Sequence, residues 1–175
     1  MTIKFVNLHG HSTFSTFDGL GFPNQHIDFA IENGSDALAL TDHGNMNGLS
    51  YQVLHAKKLL SEGKSFKPIF GVESYFIPSI SEWKEAYEKH KEEKKSKKAD
   101  EDEESGTVVE DEEESKQLDK SFINFRAHLV LLAQNRTGLS NIYQLISKSY
   151  QPGNFYRFPR VDFELLKQHN EGVIV

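Results

Sequence analysis

The stretch Ala37-Leu38-Ala39-Leu40-Thr41-Asp42-His43-Gly44 sets four apolar residues directly before an acid and an imidazole. So short an apolar run, bounded by polar turn residues, reads as a strand covered on both faces. Helical patterns flank it. Upstream, Pro23 suits a first helical turn, Ile27, Ala30 and Ile31 share one face, and Gly34 is a left-handed stop. Downstream, a turn-rich segment from Thr41 to Gly48 leads into a helix from Leu49 to Ser61, with Leu49, Val53, Ala56 and Leu60 as its buried stripe and Gly63 ending it. Further strands are predicted at Ile3–Leu8 and Pro68–Ile77. The resulting βαβαβ order predicts parallel strands joined by right-handed crossovers, hence an α/β sheet or barrel.

After Pro78 the pattern degrades. Glu82 to His90 reads as a surface helix with Glu/Lys neighbours, and a low-complexity Lys and Glu tract follows, with disorder expected from Lys95 to Asp119. Order is expected again from Phe122. Ala127–Ala133 is a fourth strand, Leu139–Tyr150 a helix with Ile142, Leu145 and Ile146 inward, Asp162–Gln168 a short helix, and Gly172–Val175 a fifth strand. The division is therefore 1–81, a charged and largely disordered insert at 82–120, and a continuation at 121–175.

Composition limits what the chain can do. With 37% hydrophobic residues, 13 Phe and 6 Tyr in 175 residues, a packed core is available and wholesale disorder is excluded. The absence of cysteine excludes a disulfide scaffold and a thiol nucleophile, so a metal site has to use His and carboxylate. No run approaches the ~20 apolar residues of a membrane span, the first six residues turn polar too soon for a signal peptide, and the cytoplasm is the expected compartment. The net charge of −6 belongs to the insert: residues 82–120 hold 16 acidic against 9 basic residues, while the remainder holds 10 against 11.

Four segments carry ligand-type residues. In Leu8-His9-Gly10-His11-Ser12 the two imidazoles are separated by two in an extended segment, so both point to one side and can reach one cation; two polar histidines at a strand end are the plainer alternative. In Leu40-Thr41-Asp42-His43-Gly44 a strand delivers its acid and imidazole to a carboxyl end, where α/β sites assemble. Asp42 can bind metal, orient His43 or cap the following loop, and the supporting roles are preferred. In Phe70-Gly71-Val72-Glu73-Ser74 a carboxylate lies inside an apolar strand, which calls for a metal, an ion pair to Arg126 or Lys67, or protonation. His128 sits among Ala, Leu and Val, where a lone histidine is usually a satisfied core group, yet it is the fourth strand in succession with a ligand-type residue. His26, His55, His90 and His169 read as surface residues.

The segments His9-Gly10-His11-Ser12 through Asp18-Gly19, Thr41-Asp42-His43-Gly44-Asn45-Met46-Asn47-Gly48 and Pro68 to Glu73 resemble the opening motifs of a PHP (polymerase and histidinol phosphatase) domain. More narrowly, His128 to Asn135 with Gly138-Leu139-Ser140-Asn141 resembles the polymerase group, the N-termini of bacterial DNA polymerase III α subunits. The resemblance covers nearly everything except the insert. It implies a distorted barrel of parallel strands and outer helices, of which this chain is an incomplete N-terminal portion, with a site for three divalent ions, zinc or manganese before magnesium. Carried over, His9, His11, Asp18, His43, Glu73 and His128 match ligand positions, with Glu73 bridging two ions and Asp18 and His43 forming the second, catalytic, position. The implied activity is metal-dependent phosphoesterase chemistry of a 3′–5′ exonuclease kind, attached to a nucleotidyltransferase. The implied partners are DNA, reached through a longer parent polymerase, and other replicase subunits. A structural scaffold and a small-molecule phosphatase of the histidinol-phosphatase type are the alternatives. Two departures stand out: further ligands that the family takes from later strands, a Cys or His and an Asp-x-His, do not occur before Val175, and the charged insert replaces a shorter connection. A fragment of a longer polymerase is the expected origin, ahead of a split gene product or a reduced stand-alone domain.

Overall fold

Ten residues, Lys67–Phe76, organise the sheet. The computed structural model describes residues 5–100 and 121–175, with the backbone alone for 95–100. In chain order it contains α1 (Pro23–Glu32), β1 (Ala37–Leu40), α2 (Leu49–Ser61), β2 (Lys67–Phe76), α3 (Ile80–Asp100), β3 (Ala127–Ala133), α4 (Arg136–Ser149), β4 (Phe155–Tyr156), β5 (Phe158–Val161), α5 (Phe163–Gln168) and β6 (Val173–Ile174). The strands follow the order β4-β5-β2-β3-β6, with β1 also on β2. Along β2 the partner changes: Lys67–Phe70 pair in parallel with β1, and Tyr75 and Phe76 pair in parallel with β5. Opposite them, Gly71–Phe76 pair antiparallel with β3, and β6 pairs antiparallel with β3 in turn.

The sheet is therefore mixed: β1, β2, β5 and β6 run in one direction, and the uniformly parallel expectation fails for β3 and β4. An apolar run fixes that a strand forms; its direction depends on the connection that brings it back. The predicted first strand differs too. Phe5–Leu8, its described part, is irregular, although Asn7 O and Gly10 O accept from Ala39 N at 2.8 Å and Thr41 N at 2.7 Å. A step of three residues on one side against two on the other breaks a regular ladder.

Local chemistry accounts for the element ends. Gly34 and Gly63 follow α1 and α2 with φ of +81° and +76°, the left-handed region that glycine enters without a Cβ clash. The Asn135 side chain accepts from Gly138 N at 2.9 Å and starts α4 at Arg136, three residues before the predicted start. Asp162 caps two helices at once, accepting from Leu165 N of α5 and from Ile80 N of α3, both at 2.9 Å.

Two helical layers bury the sheet. Ile27 and Ala30 of α1 and Leu59 of α2 close on Leu38, Leu40 and Phe66, whereas Ile142 and Leu145 of α4 close on Val72, Leu131 and Val161. On α2 the inward position is Leu59 rather than the predicted Leu60, which is 70% exposed. Leu59 lies three residues beyond Ala56 and stays in phase with Gln52 and Ala56, as a 3.6-residue period requires. The start of α3 is also no surface helix: Trp83 is 2% exposed against Ile77 and Ile80, and its Nε1 donates to Ile123 O at 3.0 Å. The helix continues through 95–100, where disorder was expected; the rest of that expectation, 101–119, lies outside the described residues.

Candidate metal centre

The register between β2 and β3 builds the floor of the site. Glu73 is paired with Val130 and Tyr75 with His128, so alternation puts Glu73, Tyr75 and His128 on one face, opposite the Val72 and Leu131 core face. On its other side Glu73 pairs with His43: Glu73 N donates to Asp42 O at 3.2 Å and Gly44 N to Glu73 O at 2.8 Å. The loop after Leu8 supplies the remaining groups. Its shape depends on Asp42, a buried carboxylate that accepts from Ser12 N (2.7 Å), Ser12 Oγ (2.8 Å) and Ser15 Oγ (2.8 Å). Asp42 thus takes a supporting role, and it supports the His9–Asp18 loop rather than the ring of His43. Gly19 is required here, since a Cβ on it would stand 2.0 Å from Ser12 O.

All six residues matched by the resemblance converge. His9 Nε2 and His128 Nδ1 are bonded to Oε2 and Oε1 of Glu73, His11 Nε2 lies 2.9 Å from Oε2, and His43 Nδ1 lies 3.8 Å from Oε1. Asp18 Oδ2 bonds His43 Nε2 at 2.6 Å, and Ser15 Oγ fixes His11 through Nδ1 at 3.0 Å. Among the described residues three overlapping groups result: His9, His11 and Glu73; His11, Asp18 and His43; His43, Glu73 and His128, each with ligand atoms within 4.8 Å of one another. Each pair of groups shares one residue. Neither Arg126 nor Lys67 partners Glu73.

The donor set suits divalent cations. Nε2 atoms of His9 and His11 face each other at 3.2 Å across a carboxylate oxygen, so lone pairs converge that protons alone satisfy poorly. His43 Nδ1 is buried without a hydrogen-bond partner among the described residues and lies 3.8 Å from Glu73 Oε1. Electrostatics agree. Burial pushes the Glu73 carboxyl up, but the hydrogen bond from His9 and the charges of His43, His9 and His128 together hold it below the usual carboxylate range. The hydrogen bond from His43 holds Asp18 low as well, and burial keeps the His11 imidazole neutral to below its ordinary value.

Sequence reasoning gave no role to Ser12, Ser15 and Tyr75. Tyr75 stacks on His43 with centroids 5.7 Å apart and meets the edge of His128 at 5.3 Å; its separation of two from Glu73 was the available signal. Among the other histidines, His55 is no surface residue: its side chain is 14% exposed and bonds Asp28 at 2.6 Å, tying α2 to α1. His26, His55, His90 and His169 join none of the three groups.

Imidazoles and carboxylates gathered where β1 and β2 meet form three groups able to hold metal ions on an α/β sheet, and the chain belongs to the PHP domain family, which matches residues 7–175. Its relatives carry the name DNA polymerase III subunit alpha. That of Treponema pallidum is 35% identical over 175 residues, 98% of this chain and 11% of that protein. Those of Deinococcus radiodurans (30%; 98% and 10%) and Aquifex aeolicus (32%; 99% and 12%) are similar in the same way. The chain spans about a tenth of the length of these relatives. No helix among the described residues is long and apolar enough to cross a membrane.

Proposed function

We propose that this chain is the N-terminal PHP part of a replicative DNA polymerase α subunit, and that its centre hydrolyses phosphoester bonds at DNA 3′ ends. The observation that carries the reading is the sharing of Glu73, His11 and His43 among three ligand groups, a build suited to as many as three zinc or manganese ions. Bound divalent ions supply a water acidic enough to act as a nucleophile and a positive clamp on phosphoryl oxygens. The chain's own groups do the positioning. Glu73, nearly inaccessible to water, bridges two groups through its two oxygens, and Asp18 holds His43 through Nε2. Ser15 fixes the other nitrogen of His11, and Asp42 holds the loop that presents both. The mixed sheet forms part of a barrel, residues 82–120 are an insert that the site does not need, and nucleotide addition belongs to the longer protein. DNA and other replicase subunits are the partners.

Elemental analysis of gently purified protein tests the metal assignment: the His9→Ala/His11→Ala variant should lose metal, and unchanged content sinks it. In the parent α subunit, nucleotide release from a DNA 3′ end with Mn²⁺ or Zn²⁺ should be abolished by chelator. His43→Ala should lower that rate by orders of magnitude while the melting temperature holds; an equal loss of both makes the centre a structural scaffold.

A further inference from the structure

Arg126 lies beside the centre without belonging to it. Its guanidinium carbon sits 3.9 Å from the centroid of the Phe158 ring and 5.9 Å from that of Tyr75. Tyr75 is the ring that stacks on His43 and meets His128, so one aromatic side chain stands between the guanidinium and the ligand groups. Arg126 also precedes His128 by two residues, about 7 Å at the rise of an extended chain. The residue is exposed, its Nη1 donates to Asn124 O at 3.1 Å, and no described carboxylate forms an ion pair with it. A neighbouring cation repels it. Arg160, buried with Nη1 on Tyr156 O and Phe158 O, has an Nε without a partner among the described residues. Burial first, and then the charge of Arg126, draws Arg160 down to about 10.

This flank thus concentrates positive charge that no described carboxylate neutralises, while the carboxylates of the centre are taken up by imidazoles. A guanidinium stacked on an aromatic face is oriented in advance, and its planar fork matches phosphate oxygens. A ring's width from the ligand groups, it is badly placed for a phosphate held at the centre itself and well placed for the next one. Two phosphates in succession mean a strand, not a phosphomonoester.

We propose that Arg126 anchors a nucleic-acid strand by the phosphate adjacent to the one at the metal centre. The inference rests on the DNA reading of the site and names a contact which that reading leaves unassigned. Binding of a labelled single-stranded oligothymidylate to the 175-residue chain, followed by fluorescence anisotropy between ~50 and 200 mM salt, tests it. Arg126→Gln should weaken binding and make the slope of log K against log salt shallower by about 0.7, the value of one single-strand phosphate contact. Arg126→Lys should keep the slope, because it keeps the charge. Arg136→Gln, beyond the far end of β2, should leave it unaltered, and near-ultraviolet circular dichroism verifies that each variant is folded. A slope unchanged in folded Arg126→Gln overturns the anchor and leaves the metal centre standing. Failure of the unaltered chain to bind overturns both the anchor and the DNA reading. Absence of metal in a chain that shows the slope change overturns the metal chemistry alone.

Discussion

Glu73→Gln is the sharpest perturbation of the centre, because it keeps the shape of a buried side chain and removes its charge. Two of the three ligand groups contain Glu73, one through Oε2 and one through Oε1; the third consists of His11, Asp18 and His43. The variant should therefore drop from as many as three bound ions to one. Losing a partner that only orients a ligand costs 10–100-fold in metal affinity, so loss of an anionic ligand shared by two sites should cost at least about 100-fold at each, or ~2.7 kcal/mol per ion. Inductively coupled plasma mass spectrometry after dialysis against trace metal reads the stoichiometry, and competition with a chromogenic chelator reads the affinity. Retention of three ions would falsify the bridging role. Loss of all three would show that the Asp18 group depends on its neighbours and is not a separate site.

Other outcomes follow from the same geometry. Asp42→Ala should destabilise the chain by about 3 kcal/mol in urea unfolding, since it strands a backbone N–H and two hydroxyls that now bond one buried carboxylate; a change below about 0.5 kcal/mol refutes the anchoring role. Gly138→Ala should cost at least about 1–3 kcal/mol, because its Cβ would stand 1.8 Å from Gly172 O, and a neutral result denies that contact between α4 and the turn before β6. Burial raises Tyr75, Tyr143 and Tyr150 above their ordinary value of 10. Unfolded tyrosines lose protons first, so the stability these groups contribute is present below pH 10 and lost as pH rises through their folded values. Absorbance titration of tyrosinate should show Tyr75, Tyr143 and Tyr150 ionising later in the folded chain than in urea, and Phe substitution at each assigns the late component.

Much of this was legible along the chain, and the reasons are local. Ala37–Leu40, Leu49–Ser61 and Ala127–Ala133 form the elements that their apolar periods and bounding turn residues specify. Of the six residues that converge, His9, His43, Glu73 and His128 follow or interrupt an apolar run, where an imidazole or carboxylate is out of place, His11 lies two residues from His9, and Asp18 was indicated by the family resemblance alone. What escaped was non-local. The reversal of β3 against β2 and the rejoining of β2 by β5 depend on connections, not on runs. The hairpin of β4 and β5 is only a few residues long, with Arg157 at φ +60° in its turn, and has no apolar alternation to betray it. Low hydropathy hid the reach of α3, because Glu and Lys are good helix formers and fail only as core residues. The support given by Ser12 and Ser15 to Asp42 joins segments 27 and 30 residues apart, a distance no spacing rule reaches.

The bond from Trp83 Nε1 to Ile123 O joins two buried residues, 2% and 5% exposed, that stand at the two edges of the acidic segment. It works as a clasp: it ties the first turns of α3, where Tyr87 stacks on Trp83, to the segment that leads into β3, so both margins are fixed by packing. A flexible linker inserted after α3 can then vary in length at small cost, since each doubling of a flexible loop adds only about 0.6 kcal/mol of closure entropy. The clasp makes the end of α3 a natural port in the domain, where an inserted linker, tag or reporter domain should leave the sheet and its ligands in register.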